Sequence, residues 1–429
     1  MRLDLPALLL AALLLAPSVH AQDAQDVAPI DDPDVAESAA SKVPLAEIKR
    51  FVAVFNAVRD AYVEPVSDAR LMQSAIEGLL LDLDPHSTYF PKDDAEAFDE
   101  VTSGAYDGIG IEVQSLADGT IQVVAPIDDT PAARAGIKSG DIILKIDGAP
   151  MQAGQDNQGP LRGKPGTSVV LTIAREGVDK PFDLRVMRET IRVKSVRGRM
   201  LEPGYGYLRI AAFQADTAAD FERVLGELQA QAGAGGLRGL VLDLRSNPGG
   251  LLVSAVQIAD DLLDKGGIVS TRGRVPVSDT SFSATPGDRL NGAPLVALVD
   301  AGSASAAEVL AGALRDNHRA RIVGSRTFGK GSVQTLLPLD NGDSVKLTTA
   351  RYFTPSGKSI QALGIEPDVV LHPASDAENG GHSDYTEAAL PGHLRGDTAD
   401  VEDQPGDNAG EVLDGDAPIQ AALAELKKM

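Results

Sequence analysis

Apolar residues recur at helical spacing where the regular part of the chain begins. From residue 45 to residue 62 they fall close to positions i, i+3, i+4 and i+7, which predicts an amphipathic helix. A second stretch of this type covers residues 71–83 and ends before Pro85, because the residue preceding a proline disfavours the helical conformation. We therefore expect residues 44–100 to form an N-terminal helical region that could act as a cap or an oligomerisation arm.

Short strands dominate the pattern between residues 101 and 190. Asp118-Gly119 is a hairpin signal, and Gly136 is placed to end a short helix predicted at residues 131–135. The predicted strands cover residues 109–113, 121–127, 142–146, 169–174 and 182–186. Together these signals predict a small β-rich module.

From residue 191 to residue 371, apolar runs alternate with helical stretches. The runs at 240–244 and 295–299 are short and continuous, as in strands that are buried on both faces. Helical spacing follows each of them, at 253–263 and at 304–314. This alternation predicts a layered α/β core.

The first 21 residues have the pattern of a secretory signal peptide. Their apolar run, residues 5–17, is too short for a bilayer, which takes about 20 helical residues to cross. The sequence Val19-His20-Ala21 then offers a small-x-small cleavage site. We expect export, most simply to the periplasm, with membrane association if the segment is not cleaved.

Acidic residues are concentrated in two flanking segments. The 429-residue chain has a formal net charge of −23, which argues against a nucleic-acid partner. Residues 22–41 hold six acidic residues and no basic one, and residues 372–429 hold thirteen against three. We expect residues 22–43 to be a disordered acidic leader, and residues 372–429 to be a largely disordered tail with a short terminal helix at 419–426.

The residue types present narrow the chemistry. The chain has no cysteine, which excludes thiol nucleophiles, disulfides and thiolate metal sites. Its six histidines show no metal-ligand spacing such as HExxH, so we expect neither a metal nor an organic cofactor. A Ser/His/Asp triad would need His86 or His318, and neither lies in a glycine-lined setting. Serine chemistry therefore needs another base.

Ser305 is the strongest nucleophile candidate by position. It follows a buried strand and the turn at Gly302, and it precedes a helix whose free N–H groups can stabilise an oxyanion. The alternative is that Ser303 or Ser305 only caps the helix. Position alone leaves both interpretations open.

Lys330 is a candidate base for that serine. It lies between Gly329 and Gly331, which let other backbone pack closely and lower the pKa of the amine towards about 7 to 8 by excluding water. The alternatives are an exposed loop lysine and a phosphate-binding loop, although the glycine spacing does not fit the latter. Gln334 would touch Lys330 in a helical turn but would lie about 13 Å away in a regular strand.

With these residues in place, the chain resembles the carboxy-terminal processing peptidases, a family of tail-specific serine proteases. The resemblance runs from about residue 45 to residue 371. The shared motifs, in chain order, are Leu83-Asp84-Pro85-His86-Ser87, Gly108-Ile109-Gly110, residues 131–141, residues 161–167, residues 206–210, residues 243–250, Ser303-Ala304-Ser305, residues 327–334, residues 352–357 and residues 364–368. Each motif is weak alone, but the ordered set is specific.

The resemblance implies a multidomain α/β and α+β fold, with a layered protease core of the crotonase/ClpP type at residues 191–371. It implies that Ser305 is the nucleophile, Lys330 the general base and Gln334 the group that orients the lysine. The implied oxyanion donors are the backbone N–H groups of Ala306 and of either Gly249 or Gly250. Ala307 departs from the family, which often has a serine at that position outside the dyad.

The β-rich module at residues 101–190 is similar to a PDZ domain. The resemblance implies that its carboxylate-binding loop is Gly108-Ile109-Gly110-Ile111, where successive N–H groups can hold the C-terminus of a peptide. The alternative is an ordinary strand start that contains glycine. The downstream pairs Gly140-Asp141 and Asp147-Gly148 favour the PDZ interpretation.

We therefore expect an exported serine endopeptidase that binds the C-terminal tails of protein substrates and cleaves peptide bonds through an acyl-enzyme. The family resemblance also predicts homo-oligomers and allows a helical-repeat adaptor as a partner. Two alternatives remain: a non-catalytic PDZ scaffold, and an acyl-transfer or lipid-binding protein on the same layered fold. The intact Ser305, Lys330 and Gln334 argue against the scaffold, and the PDZ module favours a peptide ligand.

Overall fold

The computed structural model describes residues 43–116, 118–151, 159–373, 385–396 and 408–429. The described residues divide into two units, one that ends at Leu71 and one that runs from Met72 to Met429. The predicted signal peptide and almost all of the predicted leader lie outside the described residues. Within those residues, no helix is both long and apolar enough to cross a membrane.

Three helices form the N-terminal helical region. Helix α1, Leu45–Ala61, has no buried residue, and the rings of Phe51 and Phe55 lie 6.4 Å apart on it. Helix α2 spans Asp68–Leu81. A short strand, β1 (Thr88–Phe90), and helix α3 (Lys92–Ser103) follow, and the sequence pattern had not indicated either of them.

The β-rich module is an antiparallel sheet with the strand order β3-β4-β5-β7-β8, and β6 pairs with β5. A separate ribbon of β2 and β9 joins the two ends of the module. Its elements are β2 (Ala105–Gly108), β3 (Ile111–Ser115), β4 (Ile121–Pro126), α4 (Pro131–Arg134), β5 (Ile142–Ile146), β6 (Ala149–Pro150), β7 (Ser168–Ala174), β8 (Phe182–Met187) and β9 (Glu189–Arg192). The predicted strands agree with these to within about two residues.

The α/β core contains two further sheets. One has the order β10-β11-β12-β15-β16-β19 and is parallel from β11 onwards; the other has the order β1-β18-β13-β14, with β17 paired to β18. The core elements are β10 (Val196–Glu202), β11 (Tyr205–Ile210), α5 (Thr217–Ala232), β12 (Gly239–Asp243), α6 (Leu252–Leu262), β13 (Gly267–Gly273), β14 (Thr280–Ser283), β15 (Leu295–Val299), α7 (Ala306–Asp316), β16 (Arg321–Gly324), β17 (Ser332–Pro338), β18 (Ser344–Phe353), β19 (Val369–Val370) and α8 (Ala417–Leu426).

The parallel sheet is covered on both faces, which explains its continuous apolar strands. Leu240 and Leu242 of β12 pack in the cluster that includes α5, α6 and α7, whereas Val241 packs in the cluster that includes α8. Successive residues of a strand point to opposite faces, so every position of such a strand must be apolar. Because β12 and β15 are parallel neighbours, their carboxyl ends lie at the same edge of the sheet. The loops that follow these two strands carry the candidate site.

The acidic tail differs from the sequence expectation where it is described. Helix α8 buries Ile419, Ala422, Leu423 and Leu426 against the parallel sheet. Arg245, next to β12, donates hydrogen bonds to the carbonyl oxygens of Leu413 (2.9 Å) and Gly415 (3.1 Å). The expectation of a largely disordered tail is thus corrected for residues 385–396 and 408–429, because a stripe of apolar residues outweighs the acidic composition. Residues 374–384 and 397–407 lie outside the described residues.

Candidate active site

The turn between β15 and α7 isolates one serine. Ser303 is fully buried, and its hydroxyl donates to the carbonyl oxygen of Leu244 at 2.8 Å, so its role is structural. Ser305 is only partly buried and has a φ of +55°, in the left-handed region that a residue with a Cβ enters at a cost. Such strain at the first turn of a helix is typical of functional sites.

Glu308 connects Ser305 to residues 325–331, the loop between β16 and β17 that carries Lys330 and is called the lysine loop below. Its carboxylate is fully buried in the first turn of α7, and one oxygen accepts the backbone N–H groups of Ser305 (2.8 Å) and Lys330 (2.9 Å). The other oxygen accepts the Gly329 N–H (2.8 Å) and the Thr327 hydroxyl (2.6 Å). Burial raises the pKa of Glu308 to about 7, and these four hydrogen bonds oppose the shift.

Sequence reasoning missed Glu308, although a signal was present. Ser305 and Glu308 form the Ser-x-x-Glu pattern of a capping box, in which the glutamate accepts the backbone N–H of the first residue. The pattern indicates a helix start. It does not reveal that the same carboxylate reaches a loop more than twenty residues further along the chain.

Lys330 occupies the confined position that its flanking glycines indicated. A Cβ on Gly329 would lie 3.1 Å from the backbone nitrogen of Gly364, and one on Gly331 would lie 2.6 Å from that of Gln361. Burial lowers the pKa of the Lys330 amine to about 8, helped by the positive charge of Lys346 and opposed by nearby carboxylates. The amine donates to the Gln334 side-chain oxygen at 2.6 Å.

Gln334 reaches Lys330 without a helical turn. It lies in β17, and Lys330 precedes that strand, with an irregularity in the pairing to β18 between Val333 and Gln334. A regular strand would have separated the two side chains, so the break in the ladder produces the contact.

Tyr352 is a second residue that sequence reasoning did not single out. Its side chain is buried, and its hydroxyl donates to the carbonyl oxygen of Lys330. Burial and the nearby Glu308 carboxylate raise the pKa of Tyr352 well above its ordinary value, so the phenol stays protonated. Tyr352 of β18 therefore supports the backbone of the loop that carries Lys330.

The two glycines of the loop after β12 differ in their hydrogen bonds. The Gly249 N–H donates to the side-chain oxygen of the buried Asn247 at 2.9 Å. The N–H groups of Gly250 and Ala306 have no partner among the described residues, and Ala306 begins a helix, where no carbonyl is in reach. A Cβ on Gly249 would lie 2.8 Å from Cβ of Ser305, so only glycine permits this approach. The loop therefore offers a free N–H close to the serine.

The C-terminal segment 385–396 lies against the lysine loop. The Glu387 N–H donates to the Phe328 carbonyl oxygen at 2.9 Å, and its fully buried carboxylate contacts the side chains of His86 (2.8 Å) and Gln361 (2.9 Å). The Gln361 side-chain oxygen in turn accepts the Gly331 N–H at 2.9 Å. His86, considered from sequence as a triad base, is thus part of the support for this loop.

A small cavity marks the predicted carboxylate-binding loop. It has a volume of about 120 Å³, and its lining includes Gly108, Ile109, Gly110, Ile111 and Arg162. Gly110 has a φ of +80°, and the carbonyl oxygens of Ile109 and Gly110 accept hydrogen bonds from within the module, at Ala132 and Ile127. The adjacent strand β3 lies at an edge of its sheet. This arrangement suits a peptide that adds as a strand and ends at the cavity.

The site combines a serine at a helix N-terminus, a partly buried amine of lowered pKa and two free N–H donors. These are the components of a serine hydrolase site. Residues 204–371 match peptidase family S41, residues 108–186 match the PDZ domain, and residues 14–94 match the N-terminal domain of the activating protease CtpB.

Proteins named as carboxy-terminal processing proteases are similar to this chain over most of its length. It is 45% identical over 353 residues to the carboxy-terminal-processing protease of Bartonella bacilliformis, covering 82% of this chain and 81% of that protein. It is 36% identical over 318 residues to the carboxy-terminal processing protease CtpA of Bacillus subtilis, covering 73% and 67%. The solved photosystem II D1 C-terminal processing protease is 32% identical, with a TM-score of 0.43, over 75% of this chain and 92% of that one.

The chain belongs to peptidase family S41, as a serine-type, carboxy-terminal processing peptidase with a PDZ domain. The family resemblance, the enzyme class and the fold class expected from sequence are thereby confirmed.

Proposed function

We propose that Ser305 and Lys330 form a Ser/Lys dyad. The neutral amine of Lys330 takes the proton of the Ser305 hydroxyl while the hydroxyl oxygen attacks the carbonyl carbon of a peptide bond. The observation that carries the proposal is the confined amine, with its pKa lowered to about 8 and one N–H donated to Gln334. With that pKa, about one amine in ten is neutral at pH 7.

The oxyanion of the tetrahedral intermediate is held by the N–H groups of Ala306 and Gly250. Gly249 is the less suitable donor because its N–H is already bonded to Asn247. Gly249 instead serves by lacking a side chain next to Ser305. Two preorganised backbone donors are the usual means of stabilising such an oxyanion.

The protonated Lys330 then gives its proton to the leaving nitrogen. The peptide C–N bond breaks, which leaves the acyl group as an ester on Ser305 and releases the C-terminal fragment. A water molecule attacks the ester, Lys330 takes a proton from that water, and the proton returns to Ser305 as the ester bond breaks. No cofactor takes part in these steps.

We also propose that the PDZ module binds the C-terminal tail of the substrate. The free carboxylate would lie at the loop from Gly108 to Ile111, and the preceding residues would pair with the edge of β3. The Arg162 side chain also lines the cavity, and its guanidinium is ion-paired with Glu100. Protein substrates with accessible tails fit this arrangement.

The sequence supports export and self-association as further parts of this proposal. The apolar run and cleavage site within residues 1–21 support export to the periplasm, with membrane association if cleavage does not occur. The exposed apolar side chains of α1, such as those of Ile48 and Val52, support a homo-oligomer.

Cleavage of β-casein by purified wild-type, Ser305→Ala and Lys330→Ala proteins tests the dyad. We expect the wild type to degrade the substrate, and each variant to lose at least about a hundredfold in rate. Cleavage at the wild-type rate by either variant would contradict the proposal.

The role of the PDZ module is tested with one peptide that has either a free or an amidated C-terminus. We expect amidation to raise KM with little effect on kcat, because it removes a binding contact that is remote from the reacting bond. Equal KM values for the two peptides would exclude recognition of the carboxylate.

A further inference from the structure

A chain of hydrogen bonds continues behind Gln334, on the side away from Lys330. The Gln334 side-chain nitrogen donates to the Ser332 hydroxyl at 3.0 Å and to the Thr348 hydroxyl at 3.2 Å. The Thr348 hydroxyl in turn donates to one carboxylate oxygen of Asp84 at 3.1 Å. Asp84 is only 4% exposed. It belongs to the Leu83-Asp84-Pro85-His86-Ser87 motif, to which the dyad mechanism assigns no role.

Asp84 is held as a carboxylate. It accepts the Ser87 hydroxyl at 2.8 Å and the backbone N–H groups of His86 and Ser87, both at 2.9 Å. Burial alone would raise the pKa of Asp84, but these hydrogen bonds and the one from Thr348 outweigh burial and lower it below its ordinary value. An ionised carboxylate has no proton to donate and can only accept.

The ionised Asp84 fixes which groups donate and which accept in the rest of this series of hydrogen bonds. Because Asp84 only accepts, the single hydroxyl proton of Thr348 points towards Asp84, and the Thr348 oxygen is left to accept from the other side. Gln334 must therefore present its NH2 group to Thr348 and its oxygen to Lys330. The Ser332 hydroxyl can donate as well as accept, so it tolerates either direction of the amide. Without the constraint from Thr348, the two ends of the amide are nearly equal in shape and can exchange by a flip.

The direction of the amide decides whether the lysine can act as a base. A neutral amine has two N–H groups and one lone pair. When the Gln334 oxygen faces Lys330, the amine donates one N–H to that oxygen, and its lone pair remains available to accept the Ser305 proton. With the NH2 group facing it, the lone pair would be occupied by a hydrogen bond from Gln334.

We propose that Asp84 is a positioning residue of the active site, which acts through Thr348 to fix the direction of the Gln334 amide and keep the lone pair of Lys330 available. The proposal rests on the Ser/Lys dyad proposed above. It assigns a function to the motif around Asp84, which lies more than 240 residues from Lys330 in the sequence.

Four charged groups act on Lys330 in the described structure. Lys346 of β18 lowers the pKa of its amine, and Glu387 of the C-terminal segment, Glu308 of α7 and Asp84 raise it. Asp84→Asn removes one of the negative charges that raise the pKa of Lys330, and it also removes the group that can only accept hydrogen bonds. Thr348→Val breaks the hydrogen-bond chain and leaves all four charges in place, so it isolates the effect of direction.

The test measures kcat, KM and the pH profile of peptide cleavage for Asp84→Asn, Thr348→Val and Thr348→Ser. We expect the first two to lower kcat about 10-fold to 100-fold with KM nearly unchanged. The acid limb of the pH profile should move to lower pH. A flipped amide presents its NH2 group to Lys330, which favours the neutral amine and so lowers the pKa of Lys330. Thr348→Ser keeps the hydroxyl and should restore most of the activity.

Thr349→Val is the matched control. Thr349 is the next residue of β18, and its hydroxyl pairs with that of Thr335 at an exposed site, so we expect wild-type kinetics. Wild-type kcat and pH profile in Thr348→Val, or an equal loss in Thr349→Val, would overturn the proposal.

Coupling to Gln334 provides the second readout. If Asp84 acts through the amide, Asp84→Asn should cost less than about twofold when Gln334 is already alanine. The same loss in both backgrounds would mean that Asp84 acts through its charge or its packing and not through the amide, and would refute the proposal. The dyad itself fails if Ser305→Ala or Lys330→Ala remains active, which these measurements on Asp84 and Thr348 do not decide, so the two failures can be told apart.

Discussion

At the scale of single residues, the site depends on two titratable groups that burial moves towards neutrality. Burial lowers the pKa of Lys330 to about 8 and raises that of Glu308 to about 7. A base works best with a pKa near the working pH, so the confinement of Lys330 suits its proposed role. The same confinement has a cost in folding stability, because the unfolded lysine binds its proton more tightly.

This cost predicts that Lys330→Met stabilises the protein at pH 7. The unfolded amine has a pKa of 10.5 and the folded one about 8, so the penalty is absent above pH 10.5 and complete below pH 8. The shift sets an upper limit of about 3 kcal/mol, from which about 1 kcal/mol is lost with the Gln334 hydrogen bond.

Urea unfolding at pH 7 and near pH 10.5 measures the effect. The free energy of unfolding of Lys330→Met should exceed that of the wild type at pH 7, and the gain should vanish at the higher pH. Lys265→Met, at an exposed position, is the control and should change little at either pH. A loss of stability at pH 7 would show that Lys330 carries no desolvation penalty.

Gly249→Ala should abolish activity while leaving the fold largely intact. The new Cβ would meet Cβ of Ser305 at 2.8 Å, and the backbone φ of +99° disfavours any side chain. We expect kcat/KM to fall at least about a hundredfold. Gly226→Ala, in α5 with open space around it, is the matched control and should keep full activity. Comparable activity in the two variants would contradict the proposed approach of the loop to Ser305.

At the scale of elements, the sequence was most informative where one physical rule decides. The runs at β12 and β15 were predicted because a strand covered on both faces has to be apolar throughout. The contact between Lys330 and Gln334 was not, because it depends on an irregularity in the pairing of β17 with β18. Asp84 and Thr348 meet only in the folded chain, and no local pattern encodes that meeting.

The C-terminal helix α8 is the element whose importance the acidic composition concealed. Leu423 is 3% exposed and packs with the strands of the parallel sheet, so Leu423→Ala should lower the free energy of unfolding by about 2 to 5 kcal/mol. Gln420→Ala, on the exposed face of the same helix, should change it by less than about 0.5 kcal/mol. Equal stability of the two variants in thermal or urea unfolding would mean that α8 does not belong to the core.

At the scale of the whole molecule, the candidate site draws on segments that are distant in sequence. Loops after β12 and β15, the lysine loop, the motif around Asp84 and the segment 385–396 all contribute hydrogen bonds. The last of these segments lies in the acidic tail. Part of the chain that was expected to be disordered from its acidic composition therefore supports the lysine loop. Composition therefore located the acidity correctly but could not show which acidic residues pack inside the fold.

The most direct test of the central claim is the pH dependence of the acylation rate in single-turnover cleavage of a peptide. If neutral Lys330 is the base for Ser305, the rate should rise with pH to a plateau and be half-maximal near pH 8, and Lys330→Met should lose this phase. Acylation of Ser305 at the wild-type rate in Lys330→Met, or a wild-type rate that does not change between about pH 6 and pH 9, would contradict the account.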